Sequence, residues 1–290
     1  MVSGKHGSHV VLTCTGARKK AMNYCRLYMA RQTQLPDFWV IVDDCDPMTA
    51  AGLAPVDFHI VRPDPRWKAG AGNTVARNFV AGLDYIQKNI PEAEIITVME
   101  DDDWYSRSYL QNMAFELRSR LSEGIFVIGE NNTVFYHVGS RLFRRNWHPG
   151  TASLCSMSFH ASIIPGLLNI LNGYTKHDVD RRIYRSVAPE QFDLLSSDLV
   201  VGIKGIPGER EHAGIGSKMA FSQGTPDPDL RLLRNLIGDD ADLYAHWFID
   251  PEFVPIEKKP RPQPPTSRRR RRVLAGRQLE IDEARKRRRR

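Results

Sequence analysis

No stretch of the chain approaches the roughly 18 consecutive apolar residues that a membrane-spanning helix needs, so a transmembrane anchor is not expected. Met1 to Ser8 is polar and lacks the apolar core of a secretory signal, which makes the cytoplasm the expected location. Cysteine is scarce. The four residues, Cys14, Cys25, Cys45 and Cys155, contain no CxxC pair, which argues against a zinc ribbon, a thioredoxin-like redox site or a disulfide scaffold. Three of them lie in or beside apolar segments and read as reduced core thiols. No internal repeat is present, so solenoid and propeller architectures are excluded.

Positive charge is also scarce, except at one end. Residues 258–290 hold 15 Lys and Arg against 3 Asp and Glu, a charge of +12. The other 257 residues hold 26 against 31, or −5, so the overall +7 belongs to the tail. Residues 1–250 are long enough, and with 41% hydrophobic residues over the whole chain apolar enough, for one large domain. Residues 251–267 hold six prolines between Pro251 and Pro265 and read as an extended linker. Residues 268–290 are an arginine-rich tail.

The first 120 residues alternate strand and helix. His9–Thr15 and Phe38–Val42 are short buried runs, His59–Val61 a third short strand, and Ile95–Met99 another buried strand. Between them, Ala17–Gln32 has helical periodicity, and Val75, Phe79, Leu83 and Ile86 recur at helical spacing. The pattern predicts an α/β fold with a mostly parallel sheet covered on both faces. Such sheets bind ligands outside the carboxyl ends of their strands. Further on, Gly124–Gly129 and Ser153–Phe159 read as strands, and Ile163–Leu171, Asp227–Ile237 and Ala241–Phe248 as helices.

Two acidic clusters lie at predicted strand ends. Glu100-Asp101-Asp102-Asp103 follows Ile95–Met99 and precedes Trp104. Four adjacent carboxylates repel one another unless a cation sits among them. Hard oxygen ligands suit Mg²⁺ or Mn²⁺; the rival reading is a solvated acidic turn. Asp43-Asp44 ends the second strand, where a carboxylate can accept hydrogen bonds from a base or ribose, although a loop acid at a helix cap fits equally well. Gly70-Ala71-Gly72-Asn73 precedes Arg77-Asn78, a loop through which backbone can approach a ligand and an arginine that can pair with a diphosphate. A turn and a surface arginine would look the same.

Together these elements resemble the glycosyltransferase family 2 pattern. The carriers are the first strand Val10–Thr13, Gln32-Thr33 at the end of the first helix, Asp43-Asp44, the loop with Gly70 and Gly72 leading to Arg77-Asn78, and Glu100–Trp104 followed by Tyr109-Leu110. The chain departs from the pattern at Glu100, where aspartate is usual, and in Thr15-Gly16-Ala17-Arg18, which lacks the usual Pro and Asn. The resemblance covers Val10 to about Asp180. It implies a GT-A-like fold and a nucleotide-sugar donor, UDP-linked by preference. Thr13, Asp44, Arg77 and Asp102 would contact the donor. Asp103 would ligate a Mn²⁺ or Mg²⁺ ion, with Asp101 beside it. An inverting transferase also needs a base for the acceptor hydroxyl. The resemblance places it at Asp178 in His177-Asp178-Val179-Asp180-Arg181, with Asp180 the second choice; a charged helix start is the competing reading.

The glycine-rich Ile203–Ser217 reads as a loop, and in related folds a late loop closes over the diphosphate, which makes His212 a candidate metal ligand and Arg210 a further candidate. Trp147-His148-Pro149-Gly150 could line an acceptor cleft. In the tail, Arg268, Arg269, Arg270, Arg271, Arg272, Arg287, Arg288, Arg289 and Arg290 form blocks suited to a polyanion such as DNA. Enzymes that glycosylate hydroxymethylated bases in phage DNA are a class the chain resembles. A cell-surface polysaccharide or lipid-linked acceptor is the alternative, and a non-enzymatic nucleic-acid-binding protein a rival of another class.

Overall fold

The structure is a computed structural model and describes residues 7–45, 56–66, 74–176, 178–206 and 224–247. Its first half follows the expected alternation. Strands β1 (Ser8–Thr15), β2 (Phe38–Asp43), β3 (Asp57–Val61) and β4 (Ala93–Val98) enclose helix α1 (Lys19–Ala30) between β1 and β2, and α2 (Val75–Asn89) between β3 and β4. β1 pairs in parallel with both β2 and β4, and β2 with β3. Three later strands, β6 (Val127–Glu130), β9 (Met157–His160) and β10 (Phe192–Leu195), extend the sheet to the order β10-β6-β9-β4-β1-β2-β3. Only β9 runs against its neighbours.

Apolar runs without polar alternation require a sheet covered on both faces, and two apolar layers cover this one. Val11, Trp39, Ile41 and Ile95 face one layer, with Met22, Cys25 and Met29 of α1 and Tyr109, Leu110, Met113 and Leu117 of α3 (Tyr109–Arg120). Their neighbours Val10, Leu12, Val40, Val42 and Ile96 face the other, with Phe79, Leu83 and Ile86 of α2, α4 (Ile164–Leu171) and α5 (Val179–Ser186). The period of two along each strand thus sorts one sequence into two cores.

A second, five-stranded sheet of order β12-β8-β7-β11-β5 was not foreseen. It consists of β5 (Trp104–Tyr105), β7 (Asn132–His137), β8 (Leu142–Trp147), β11 (Val200–Lys204) and β12 (Thr225–Pro226). Ile203 and Lys204, expected in a loop, close β11, whereas residues 207–217 of that expected loop lie outside the described residues. Helix α6 (Arg231–Ile237) starts four residues later than expected. Asp227 explains the early signal: its carboxylate accepts from the backbone N–H groups of Leu232 and Leu233 at 2.8 and 3.0 Å, although it stands before the helix. The segment Gly238–Trp247 is a 3-10 helix packed on α1. Arg31 pairs with Asp240 at 2.6 Å, and the Tyr28 and Tyr244 hydroxyls meet at 2.6 Å. The linker and the tail, 251–290, lie outside the described residues, as do Gly70–Asn73. Among the described residues no helix is long and apolar enough to cross a membrane.

The sheet and α2 pack closely at Gly82. A Cβ there would come within 2.4 Å of Leu12 Cδ1 and 2.9 Å of Val42 Cγ2. Glycine inside a helix normally costs about 1 kcal/mol relative to alanine, but overpacking a tight core costs about 1–3 kcal/mol. We therefore expect Gly82→Ala to lower the urea midpoint despite its better helix propensity; a raised midpoint would show that α2 has room to shift.

Candidate functional site

The carboxyl ends of β1, β2 and β4 bring both acidic clusters to one rim of the sheet. After β4 the chain turns through Glu100–Asp103 into β5. Asp101 and Asp103 are fully buried and Asp102 is 3% exposed, so the solvated-turn reading does not hold. The cluster is neutralised from two directions. From the β1–α1 turn, Arg18 donates through Nη1 to Asp101 Oδ1 at 2.5 Å, and its Nη2 lies 2.8 Å from Asp102 Oδ2 as an ion pair. The Thr15 hydroxyl donates to the other Asp101 oxygen at 2.6 Å. From the second sheet, Lys204 Nζ lies 2.9 Å from Asp103 Oδ1, 3.2 Å from Asp102 Oδ2 and 3.9 Å from Glu100 Oε2.

Strand register explains why Lys204 arrives there. β11 pairs antiparallel with β5, Val201 opposite Trp104, so the same register carried three residues on sets Lys204 level with Asp101. Arg18 arrives through a tight turn, in which Ala17 adopts a left-handed φ of 53° just before α1. The Gln32-Thr33 pair braces the opposite side. Gln32 donates to the carbonyls of Tyr28 and Ser106 and accepts from the Leu110 N–H at 3.0 Å, tying the end of α1 to the start of α3 just past the acids.

Charge and burial set the ionisation of the cluster. Burial raises Asp101 to about 6 against the opposing pull of Arg18. Burial would raise Asp102 as well, but Arg18 and Lys204 outweigh it and hold that carboxyl below its ordinary value. Asp103 is raised, by burial first and by Asp102, with Lys204 opposing.

A hard divalent cation fits this donor set. Asp103 Oδ2 is buried without a hydrogen-bond partner, and one carboxylate oxygen each from Glu100 and Asp103 lies within 4.8 Å of the Cys155 sulfur and of the other. Burial pushes the Cys155 thiol well above its ordinary value, which favours the protonated form, so the two carboxylates are the hard ligands of the set. Asp101 is instead spent on Thr15 and Arg18.

Asp44, fully buried at the end of β2, accepts through Oδ2 from Thr74 Oγ1 at 2.6 Å and Asn78 Nδ2 at 2.7 Å, and pairs with Arg77 at 3.4 Å. It therefore anchors the start of α2. Arg77 also donates to the Pro65 carbonyl at 2.6 Å. Thr13 is fully buried and its hydroxyl accepts from the Trp39 indole at 2.9 Å, so Thr15, two residues on, is the β1 hydroxyl that reaches the acids.

Asp178 and Asp180 open α5. Asp178 accepts from the Tyr174 hydroxyl at 2.6 Å, and burial raises the Asp180 carboxyl, with His148 and Arg181 opposing. His148 is in turn held below its ordinary value by burial, with Arg181 and Arg144 adding to the effect and Asp180 opposing. Its Nε2 is buried without a hydrogen-bond partner, and its neighbour Trp147 is 66% exposed. His177, Arg210 and His212 lie outside the described residues.

Sequence reasoning passed over Arg18, Lys204, Thr15 and Cys155 as site residues. Arg18 stood in plain view as a departure from the family's first loop. Lys204 had a weaker signal, the single charge ending the apolar run Val200–Lys204.

The Arg18 pairs generate a stability prediction. Asp102, held low, contributes stability above the ordinary carboxylate value that is lost as pH falls through its lower folded value. Asp101, raised to about 6, is protonated in the fold below that pH, so its charge pair with Arg18 exists only above it. Breaking a buried pair from one side costs about 3–5 kcal/mol. Arg18→Gln should therefore cost several kcal/mol in urea unfolding at pH 7.5 and clearly less at pH 5. An equal loss at both pH values would mean that the pair with Asp101 adds nothing to what Arg18 contributes through Asp102 and packing.

No protein-family model matches the chain, and no curated protein matches it. Among solved structures it is similar to S. aureus TarS, at 12% identity and a TM-score of 0.44, over 68% of this chain and 37% of that one. The fragment TarS 1–349 in complex with UDP gives 12% and 0.47, over 68% of this chain and 60% of the fragment. The same fragment in complex with UDP-GlcNAc gives 14% and 0.47, over 83% and 71%. At these values the likeness assigns no residue and no activity.

Proposed function

We propose that the chain is a metal-dependent glycosyltransferase that moves a sugar from a nucleotide sugar to an acceptor hydroxyl with inversion. The observation that carries this reading is the buried acidic cluster at the carboxyl rim of a mostly parallel sheet, with Asp103 paired to Lys204 through one oxygen and its Oδ2 left without a hydrogen-bond partner. The resemblance of the surrounding motifs to glycosyltransferase family 2 gives the cluster its chemistry.

Glu100 and Asp103 would hold Mn²⁺ or Mg²⁺. The ion, when bound, supplies positive charge for the diphosphate that leaves the sugar. Asp102, kept ionised by Arg18 and Lys204, positions the donor's ribose side, and Arg77 faces the diphosphate side. Asp44 shapes this wall by fixing Thr74, Arg77 and Asn78. Asp178 takes the proton of the acceptor hydroxyl as it attacks the anomeric carbon; Asp180 is the alternative base. Trp147 and His148 line the acceptor side.

The acceptor is a polyanion on this reading, because the +12 of residues 258–290 offers phosphate-binding charge that the acidic body lacks. DNA with hydroxymethylated bases meets that description; the alternative is a cell-surface polysaccharide or lipid-linked acceptor, with the tail on anionic lipid headgroups. Incubation with each acceptor and a panel of nucleotide sugars, UDP-sugars first, identifies donor and acceptor from the product mass.

Two substitutions separate the roles. Asp103→Ala should abolish Mn²⁺-dependent turnover with the fold retained. Asp178→Asn should lower turnover by about 10²-fold or more, the scale of a lost general base, with donor affinity unchanged. Full activity of Asp103→Ala under Mn²⁺ would end the donor-site reading. If Asp180→Asn rather than Asp178→Asn is inactive, the base lies two residues on.

A further inference from the structure

The two cations in the acidic cluster are held differently. Arg18 bridges Asp101 and Asp102 with two nitrogens from the start of α1, and Thr15 braces the same Asp101. A planar guanidinium in that arrangement is fixed by its fork. Lys204 is a single point charge at the end of β11, shared among Asp103, Asp102 and Glu100, with its side chain 17% exposed. It occupies one oxygen of Asp103, and the other has no hydrogen-bond partner. Four carboxylates against these two cations leave a formal charge of −2, the charge a divalent cation neutralises.

A divalent ion on Asp103 would stand next to an ammonium bound to the same carboxylate, and the two repel. Arg18 is anchored, so Lys204 is the group that can yield. Its flexible stem and three donors make it a phosphate ligand as readily as a carboxylate ligand.

We propose that Lys204 is a displaceable counter-ion: it balances the cluster in the empty enzyme, a divalent cation displaces it from Asp103, and the released ammonium then binds the donor's diphosphate. This rests on the donor-site reading above. Lys204 thereby couples the two binding events, because the ion that expels it creates the need for the phosphate partner.

The coupling predicts effects of opposite sign from one substitution. Lys204→Met should bind Mn²⁺ roughly tenfold more tightly than wild type without nucleotide, the scale of one nearby charge worth a pKa unit. With Mn²⁺ saturating, it should bind UDP at least about tenfold more weakly, since the phosphate partner is gone. Free Mn²⁺ can be counted by electron paramagnetic resonance, and UDP binding followed by calorimetry. A second measurement needs no variant. Amine acylation of Lys204 in the wild-type protein, read by mass spectrometry, should be slow in the empty enzyme, faster with Mn²⁺ and slow again with Mn²⁺ and UDP. Unchanged or weaker Mn²⁺ binding in Lys204→Met overturns the proposal, and so does acylation that ignores Mn²⁺. If UDP binds wild type with Mn²⁺ while those results are negative, only the role of Lys204 fails. If UDP binds under no condition, the donor site and the proposal fail together.

Discussion

Four consecutive acidic residues tucked into the rim of an apolar sheet would repel one another strongly unless cations reached them, and two do. Arg18 comes from the turn after β1 and Lys204 from the end of β11 in the second sheet. A large part of the architecture exists around this constraint. The tight turn at Ala17 aims Arg18, β5 carries the chain on from the acids, and the β5–β11 ladder fixes Lys204 at their level. Since each single charge here is costly to bury without its partner, the two sheets are joined electrostatically as well as by hydrogen bonds.

The same constraint leaves the site poised for a ligand. Satisfied buried polar groups are the rule in folded proteins, so the unpartnered Asp103 Oδ2 stands out against Asp101, whose two oxygens are both occupied. Asp44 meets the rule in the other way. Its hydrogen bonds are spent on Thr74 and Asn78, fastening α2 to the sheet beside the site. The strand ends on either side of β1 therefore carry carboxylates of different kinds, one bracing the wall and one left with capacity to bind.

The three-layer half of the fold was legible because its strands are continuous apolar runs and its helices carry a clear stripe. Phe38–Asp43 and Ala93–Val98 need no tertiary information to be recognised. The second sheet was not legible. β5 and β12 have two residues each, and β8 reads Leu-Phe-Arg-Arg-Asn-Trp with mixed exposure, so neither length nor alternation announces a strand. The acidic rim was legible as four adjacent carboxylates at a strand end. Its partners were not, because Arg18 and Lys204 lie about 80 and 100 positions from the acids they meet, and pairing at that range depends on topology. The family motif points to Thr13; it shares a face of β1 with Thr15 but lies a step further from the rim, where its hydroxyl accepts from the Trp39 indole, and Thr15 is the one beside Asp101.

The central claim is that Asp103, which shares Lys204 with its neighbours, is the anchor of a divalent ion that meets a nucleotide diphosphate. Anomalous diffraction from crystals grown with Mn²⁺ and UDP tests it most directly. The account predicts one manganese peak within bonding distance of Asp103, bridged to the diphosphate, with the Lys204 ammonium moved from the carboxylate to a phosphate oxygen. UDP bound elsewhere, or bound at this rim with no manganese on Asp103, would contradict it.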